Sequence, residues 1–214
     1  MRCDALGRVK GQVATMGNVR QVALGWARVG VVMVSGLCAL VVAPVSAVAA
    51  GPERHCVVSV GDREARCFGG FREALAEATA GRITDAPGNA AAAAADRVLE
   101  RRINALAAER GGSALREGYV LSIEYQHENF GGSSIIFTGY RGCDGIDDGI
   151  VEFEYADLAP IGWNDTISSF RTYSDCRVRH FEHPHFVTPR TVFQTTLSYI
   201  GSLMNDRASS LQWT

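Results

Sequence analysis

Asn164-Asp165-Thr166-Ile167-Ser168-Ser169 reads as a unit, and it returns near the C-terminus as Asn205-Asp206-Arg207-Ala208-Ser209-Ser210. Both have the form Asn-Asp-x-x-Ser-Ser. Each follows a large apolar residue, Trp163 or Met204, and runs into another, Phe170 or Leu211. Carboxylate, amide, hydroxyl and freed backbone carbonyls packed this closely make a hard, oxygen-rich environment. Ca²⁺ takes such ligands, whereas softer metals select Cys and clustered His. A single hexapeptide would read as an ordinary turn, because Asn, Asp and Ser favour turns for local reasons. Two in matched surroundings read as a repeat.

The matched surroundings lie upstream. Tyr125-Gln126-His127-Glu128-Asn129-Phe130-Gly131-Gly132 precedes the first hexapeptide, and Phe181-Glu182-His183-Pro184-His185-Phe186 precedes the second. Each runs aromatic, polar, His, two further residues, then a second aromatic at the same separation. The chain from residue 118 onward is therefore an internal repeat. Its strands should be antiparallel. Residues 119–125 alternate as a half-buried strand does, 134–138 supply the return, and 150–155 alternate again. Residues 157–160 suggest a short helical turn, while 177–181 and 190–193 give strands to the second half.

An aromatic hairpin ending Phe-x-Gly, followed by Asn-Asp-x-x-Ser-Ser, resembles the Greek-key motif of microbial Ca²⁺-binding βγ-crystallins, in which two motifs make one domain. The resemblance covers about the last hundred residues. It implies a mainly β, double Greek-key sandwich. It also implies two crossed Ca²⁺ sites, in which the Asp of one hexapeptide serves the site built mainly by the other. The expected ligands are the carboxylates of Asp165 and Asp206, the hydroxyls of Ser168 and Ser209, and the carbonyls of Thr166 and Arg207. The hairpin bend adds the carbonyls of Glu128 and, by alignment of the repeats, Pro184. With one carboxylate per site, affinity should fall in the micromolar-to-millimolar range of extracellular modules. The second hairpin departs from the pattern: Thr188 stands where the first has Gly132, a position that usually needs φ > 0.

Residues 1–50 are expected to lie outside the fold. Arg2, Arg8, Lys10, Arg20 and Arg28 precede a mostly apolar run from Val29 to Ala43, which ends in Ser46-Ala47-Val48-Ala49-Ala50. That order of basic, apolar and small residues is a secretory signal. The apolar run is short for a spanning helix of roughly 20 residues, so a cleaved signal is expected rather than a retained anchor. The mature protein should then be secreted, extracellular or bound at the cell wall.

Of six cysteines, Cys3 and Cys38 fall within the signal. Cys56, Cys67, Cys143 and Cys176 remain, and an even set in an exported chain reads as two disulfides. Three pairings are open. Pairing within each apparent unit gives Cys56–Cys67 and Cys143–Cys176. Residues 51–117 read as a small α/β appendage: a hairpin around Gly61-Asp62, a helix from Phe71 stopped by Gly81, and a second from the alanine block at Ala90 to Gly111. Leu99, Ile103 and Leu106 give the second helix an apolar stripe. The alanines favour helix but have little to bury, so that part reads as solvated. The appendage either covers the crystallin-like domain of 118–214 or serves as a prosegment.

Other chemistries find little support. A net charge of −2 offers no footing for nucleic acid or an anionic membrane. The loop from Asp144 to Gly149 departs from an EF-hand, with Ile146 at the third position and Tyr155 at the twelfth. His180, His183 and His185 lack a cysteine to complete a zinc site. No Gly-x-Ser-x-Gly elbow is present, and paired cysteines leave no thiol nucleophile, so the chain reads as non-catalytic. A secreted metalloproteinase inhibitor, or an antimicrobial protein of the same fold, is the rival function. The insertion holding Cys143 would be the inhibitor's loop, with an extracellular protease as partner.

Overall fold

Val57-Val58 and Ile135-Ile136-Phe137 are continuous apolar runs, and a strand with no polar side needs cover on both faces. A computed structural model of the chain supplies it. The structure describes residues 51–62, 64–108, 118–146 and 148–214, so the expected signal lies outside the described residues. All of these belong to one compact unit, Val48–Thr214. No helix among them is long and apolar enough to cross a membrane.

The elements run β1 (His55–Ser59), β2 (Arg66–Phe68), α1 (Phe71–Ala78), α2 (Ala90–Ala95), α3 (Arg97–Ala108), β3 (Tyr119–Tyr125), β4 (Ser134–Gly139), β5 (Phe153–Tyr155), β6 (Ser169–Thr172), β7 (Val178–Phe181) and β8 (Ser210–Trp213). A 3-10 turn at Ala159–Ile161 answers the helical turn expected there, with Asp157 Oδ1 accepting the Ala159 N–H at 2.9 Å.

Two sheets form, ordered β2-β1-β4-β3-β6 and β5-β8-β7. Within 118–214 each repeat reaches into the other's sheet, the first with a strand and the second with a single bridge. The first repeat keeps β3, β4 and β6 together and sends β5 across to β8. The second keeps β7 and β8 and returns Leu197 to Phe170 of β6 through an isolated bridge. That exchange makes a double Greek-key sandwich, the mainly β fold expected. The expected strand at 190–193 is reduced to bridges at Arg190 and Gln194. There the Thr191 hydroxyl accepts the His180 N–H (3.0 Å), doing the work of a ladder carbonyl.

Residues 51–108 form the hairpin and helices expected of them, but β1 is an interior strand. It pairs in parallel with β4 from His55↔Ser134 to Ser59↔Thr138. Cys56, Val58, Ile135 and Phe137 face the sandwich interior with Phe170, Leu211 and Trp213. Val57 and Ile136 face the opposite way, with Phe71, Leu75 and Ile103 of the helices. The segment thus supplies two strands of the five-stranded sheet and the helical layer that covers its outer face. The alanine block is not solvated: Ala90, Ala93 and Ala94 are buried, because only a methyl-sized side chain lets a helix approach so closely. Nor does one helix run through it. Asp96 is extended, and its Oδ1 accepts the N–H groups of Val98 (2.8 Å) and Leu99 (3.1 Å), so it ends α2 and caps α3. Arg171 of β6 fastens this layer, pairing with Glu100 of α3 at 2.7 Å and donating to the Ala94 carbonyl.

The alternation of β3 does not mark a half-buried strand; both of its faces are covered. Val120, Ile123 and Tyr125 meet the helices. Ser122 and Glu124 point into the sandwich, where Trp213 Nε1 donates to Ser122 Oγ (3.1 Å), Ser122 Oγ donates to Glu124 Oε1 (2.6 Å), and Glu124 Oε2 meets His180 Nε2 at 3.0 Å. Both members of that pair are fully buried. Removing either one would strand the other's polar atoms in the core, a loss of about 3–5 kcal/mol if a charge is left. Cys56–Cys67 and Cys143–Cys176 both form, the first across β1 and β2 and the second from the 140–152 loop to the turn after β6.

Candidate metal centre

Each hexapeptide is tied to the hairpin bend of its own repeat by one set of hydrogen bonds, made twice. Ser168 donates its N–H to the Tyr125 carbonyl (2.9 Å) and its Oγ to the Gln126 carbonyl (2.8 Å). Ser209 does the same with Phe181 (2.8 Å) and Glu182 (2.7 Å). One residue on, Ser169 Oγ donates to the His127 carbonyl (2.6 Å) and accepts the Phe130 N–H (3.1 Å). Ser210 repeats both contacts with His183 (2.7 Å) and Phe186 (3.1 Å). The second serine of each motif is therefore a strut for the bend, a structural duty that spacing alone does not reveal.

The bends repeat in backbone as well. Asn129 and Phe130 take positive φ (56° and 64°), as do His185 and Phe186 (59° and 63°). Gly132 lies at φ 73°, where an added Cβ would sit 2.6 Å from His127 Cδ2. In the second hairpin Thr188 does not take a positive φ, and the Thr188–Pro189 peptide is cis. The hairpin still closes alike: Gln126 N–H donates to the Ser133 carbonyl and Glu182 N–H to the Pro189 carbonyl, both at 2.9 Å.

The corners themselves lie side by side. Asp165 N–H donates to the Ala208 carbonyl (3.0 Å) and Asp206 N–H to the Ile167 carbonyl (3.1 Å). Both aspartates hold φ near 55°, the left-handed region that a short polar side chain tolerates better than most. Each carboxylate is steadied by the preceding amide, Asn164 Nδ2 on Asp165 Oδ2 (2.6 Å) and Asn205 Nδ2 on Asp206 Oδ2 (2.7 Å).

At the first corner Asp206 Oδ1 lies 3.1 Å from Ser168 Oγ, so the Asp of one hexapeptide reaches the serine of the other. Ser168 has a single hydroxyl proton, yet both Asp206 Oδ1 and the Gln126 carbonyl stand within hydrogen-bond distance. Three oxygens share one proton. A hard cation satisfies such a cluster, and in this respect the residues fit Ca²⁺. Thr166 is half-buried beside them, its Oγ1 donating to the Asn164 carbonyl at 2.9 Å. Glu128 is exposed in the bend, its carbonyl accepting the Gly131 N–H at 3.4 Å. The bend carbonyl that Ser168 reaches is that of Gln126, two residues earlier.

The second corner opens on a cleft of about 520 Å³ bordered by Asp165, Asp206, Glu182, Pro184, Arg207 and Ser209. Here Arg207, the counterpart of Thr166, pairs its guanidinium with the Glu182 carboxylate. A protein cation thus already stands among the acids. Among the described residues no group of three or more His, Cys, Asp and Glu side chains is placed to hold a metal. An ion at either corner would depend on hydroxyl and backbone oxygens as much as on carboxylate. His180, fully buried against Glu124, is turned away from the exposed His183.

No family model matches the chain, and no curated protein does. Solved structures similar to it include a βγ-crystallin domain from Flavobacterium johnsoniae, 23% identical with a TM-score of 0.33, covering 44% of this chain and 93% of that one. Another is a βγ-crystallin domain from Clostridium beijerinckii, 18% identical with a TM-score of 0.34, covering 44% and 95%. The N-terminal domain of Protein S, 20% identical with a TM-score of 0.33, covers 44% and 94%. The exchange between repeats and the doubled set of corner bonds define a double Greek-key sandwich in this chain.

Proposed function

We propose that the chain is a secreted, non-catalytic protein whose crystallin-type domain binds Ca²⁺ at its paired corners and is stiffened by it. The observation that carries this reading is the single proton shared by Ser168 Oγ, Asp206 Oδ1 and the Gln126 carbonyl. Ser168, Asp206 and the carbonyls of Thr166 and Glu128 would hold an ion at the first corner. Ser209, Asp165 and the carbonyls of Arg207 and Pro184 would hold one at the second. A bound ion supplies positive charge that these oxygens otherwise lack, and it links the two hexapeptides. Burial of Ser122, Glu124 and His180 away from any substrate supports the non-catalytic part.

A ligand that binds only the folded state raises stability by mass action, by about 2.7 kcal/mol at a hundred times Kd. Calcium titration of the purified protein, followed by melting temperature, should show a rise that a chelator reverses. Asp206→Ala should remove most of it. A melting temperature indifferent to both calcium and chelator would reject the reading.

The segment that carries Cys143, described over 140–146 and 148–152, favours a second function, protease inhibition. It is braced by Cys143–Cys176, by the Arg141–Glu152 pair, and by Glu152 Oε2 accepting the Asp144 N–H at 3.0 Å, and it presents Ile146 and Ile150 at 57% and 65% exposure. Nanomolar inhibition of a thermolysin-type protease without calcium would favour that function over calcium binding.

A further inference from the structure

We propose that the slot between the end of β1 and the open edge of β5 receives an extended, basic segment of a partner protein as an added strand. Among the described residues β5 pairs with β8 alone, at one edge of the three-stranded sheet. Its other edge borders two adjoining clefts. One, of about 460 Å³, is lined by Val151, Glu152, Phe153 and Glu154; the next, of about 390 Å³, by Glu154, Tyr155, Ala156 and Asp157. Both share Val60 and Gly61 as the facing wall. Residues 151–155 therefore follow one side of the slot, up to Ala156, whose carbonyl already accepts the His185 N–H at 2.7 Å. At ~3.3 Å per residue this run spans roughly 17 Å, the length of a short strand.

The shape suits a chain better than a compact small molecule, whose sites are enclosed and mostly apolar. An unpaired strand edge offers its amides and carbonyls to any extended segment that can lie beside it, and side-chain pockets then select the sequence. The selecting groups here are acidic. Asp62, Glu152, Glu154 and Asp157 line the slot. Glu152 is already engaged by Arg141. Glu154 accepts only the Gln212 amide (3.3 Å) and Asp157 the Ala159 N–H (2.9 Å), and Asp62 has no ion pair among the described residues. At one end Tyr140 stands 62% exposed with its ring edge-on to Phe153, an apolar step beside the acids. A second copy of this chain is the wrong occupant, because edge-to-edge pairing would set Glu154 against acids of its own kind, and like charges opposed across strands destabilise.

The proposal does not depend on calcium, and its test is made in chelator. The purified protein is titrated with a blocked peptide alternating lysine and valine, and with a control alternating glutamate and valine, while amide hydrogen exchange is followed. Protection should rise in residues 151–155 and 59–62 with the lysine peptide and not with the control. Glu154→Lys should weaken binding by about tenfold or more and Glu154→Gln by less. Glu154 is on the surface, and melting curves establish that both variants fold. Equal binding of the two peptides, protection confined to other segments, an unchanged affinity in Glu154→Lys, or dimerisation of the protein through residues 151–155 would each overturn the proposal. None of these outcomes bears on calcium binding at the corners.

Discussion

The two corners are copies in backbone and differ in how their charges are arranged. Both hold the same serine struts, the same left-handed Asp and the same bend. At the first, a neutral Gln126 and Thr166 leave an oxygen cluster short of protons. At the second, Glu182 and Arg207 fill the equivalent place with an internal ion pair. Geometry preserved through a repeat while an ion pair replaces two neutral residues separates two duties. The struts hold the fold, whereas the residues between them set what the corner can bind.

That contrast makes its strongest prediction where the corners are alike. Ser169→Ala and Ser210→Ala each remove a buried acceptor for a bend N–H and a donor for a bend carbonyl, and each should cost about 1–3 kcal/mol in urea unfolding. Near-equal losses would affirm that the struts are equivalent; a loss at one corner alone would break the symmetry. Next comes the crossed carboxylate. Asp206→Ala should weaken calcium at the first corner about tenfold or more, ~1.4 kcal/mol by calorimetry, while Asp165→Ala acts on the second corner. A smaller effect sharpens the difference. Arg207→Thr imports the first corner's residue, frees Glu182, and should strengthen calcium at the second corner several-fold, by about 1 kcal/mol or less, since the pair it removes is partly exposed.

The smallest effect concerns pH. Among the described residues, Arg54 and the start of β1 brace the first bend, through Arg54 N–H on Ser133 Oγ (3.1 Å) and His55 Nδ1 with Ser134 Oγ (2.9 Å). Burial holds the His55 pKa below its ordinary 6.5, against smaller opposing pulls from Glu53 and Glu73. Below that pH the unfolded chain takes up the proton more readily than the folded one. The neutral form's contribution is therefore complete above about 6.5 and fades as pH falls through the lowered value. His55→Gln should flatten the fall in urea midpoint on that acid side.

What the sequence discloses about this molecule follows the same division. The hexapeptides and the bends are legible because local chemistry fixes them: Asp165 and Asp206 tolerate a left-handed turn, and Ser169 and Ser210 reach only their own bends. The cysteines announce two disulfides but leave three pairings open, and the pairing within each unit is the one that forms. The covered sheet is harder to read. Val57-Val58 and Ile135-Ile136-Phe137 do announce burial on both faces, but the alternation of residues 119–125 suggests a solvated side for Ser122 and Glu124. Nothing local shows that His180 and Trp213, far along the chain, meet them. Ala90, Ala93 and Ala94 mislead for the same reason, since an alanine surface is solvated or closely packed according to what faces it. At the second corner the charge of Arg207 is visible in the sequence, whereas its partner Glu182 becomes visible only once the repeat has closed.

The parallel pairing of β1 with β4 has a consequence in time. A ribosome delivers His55 well before Ser134, its partner across a separation of 79 residues. Until that later stretch emerges, Val57, Phe71 and Leu75 have no sheet to cover. Long-range parallel pairing is slow to form and leaves apolar surface open meanwhile. Until β4 is available, the hairpin and helices of 51–108 lack the surface they settle on.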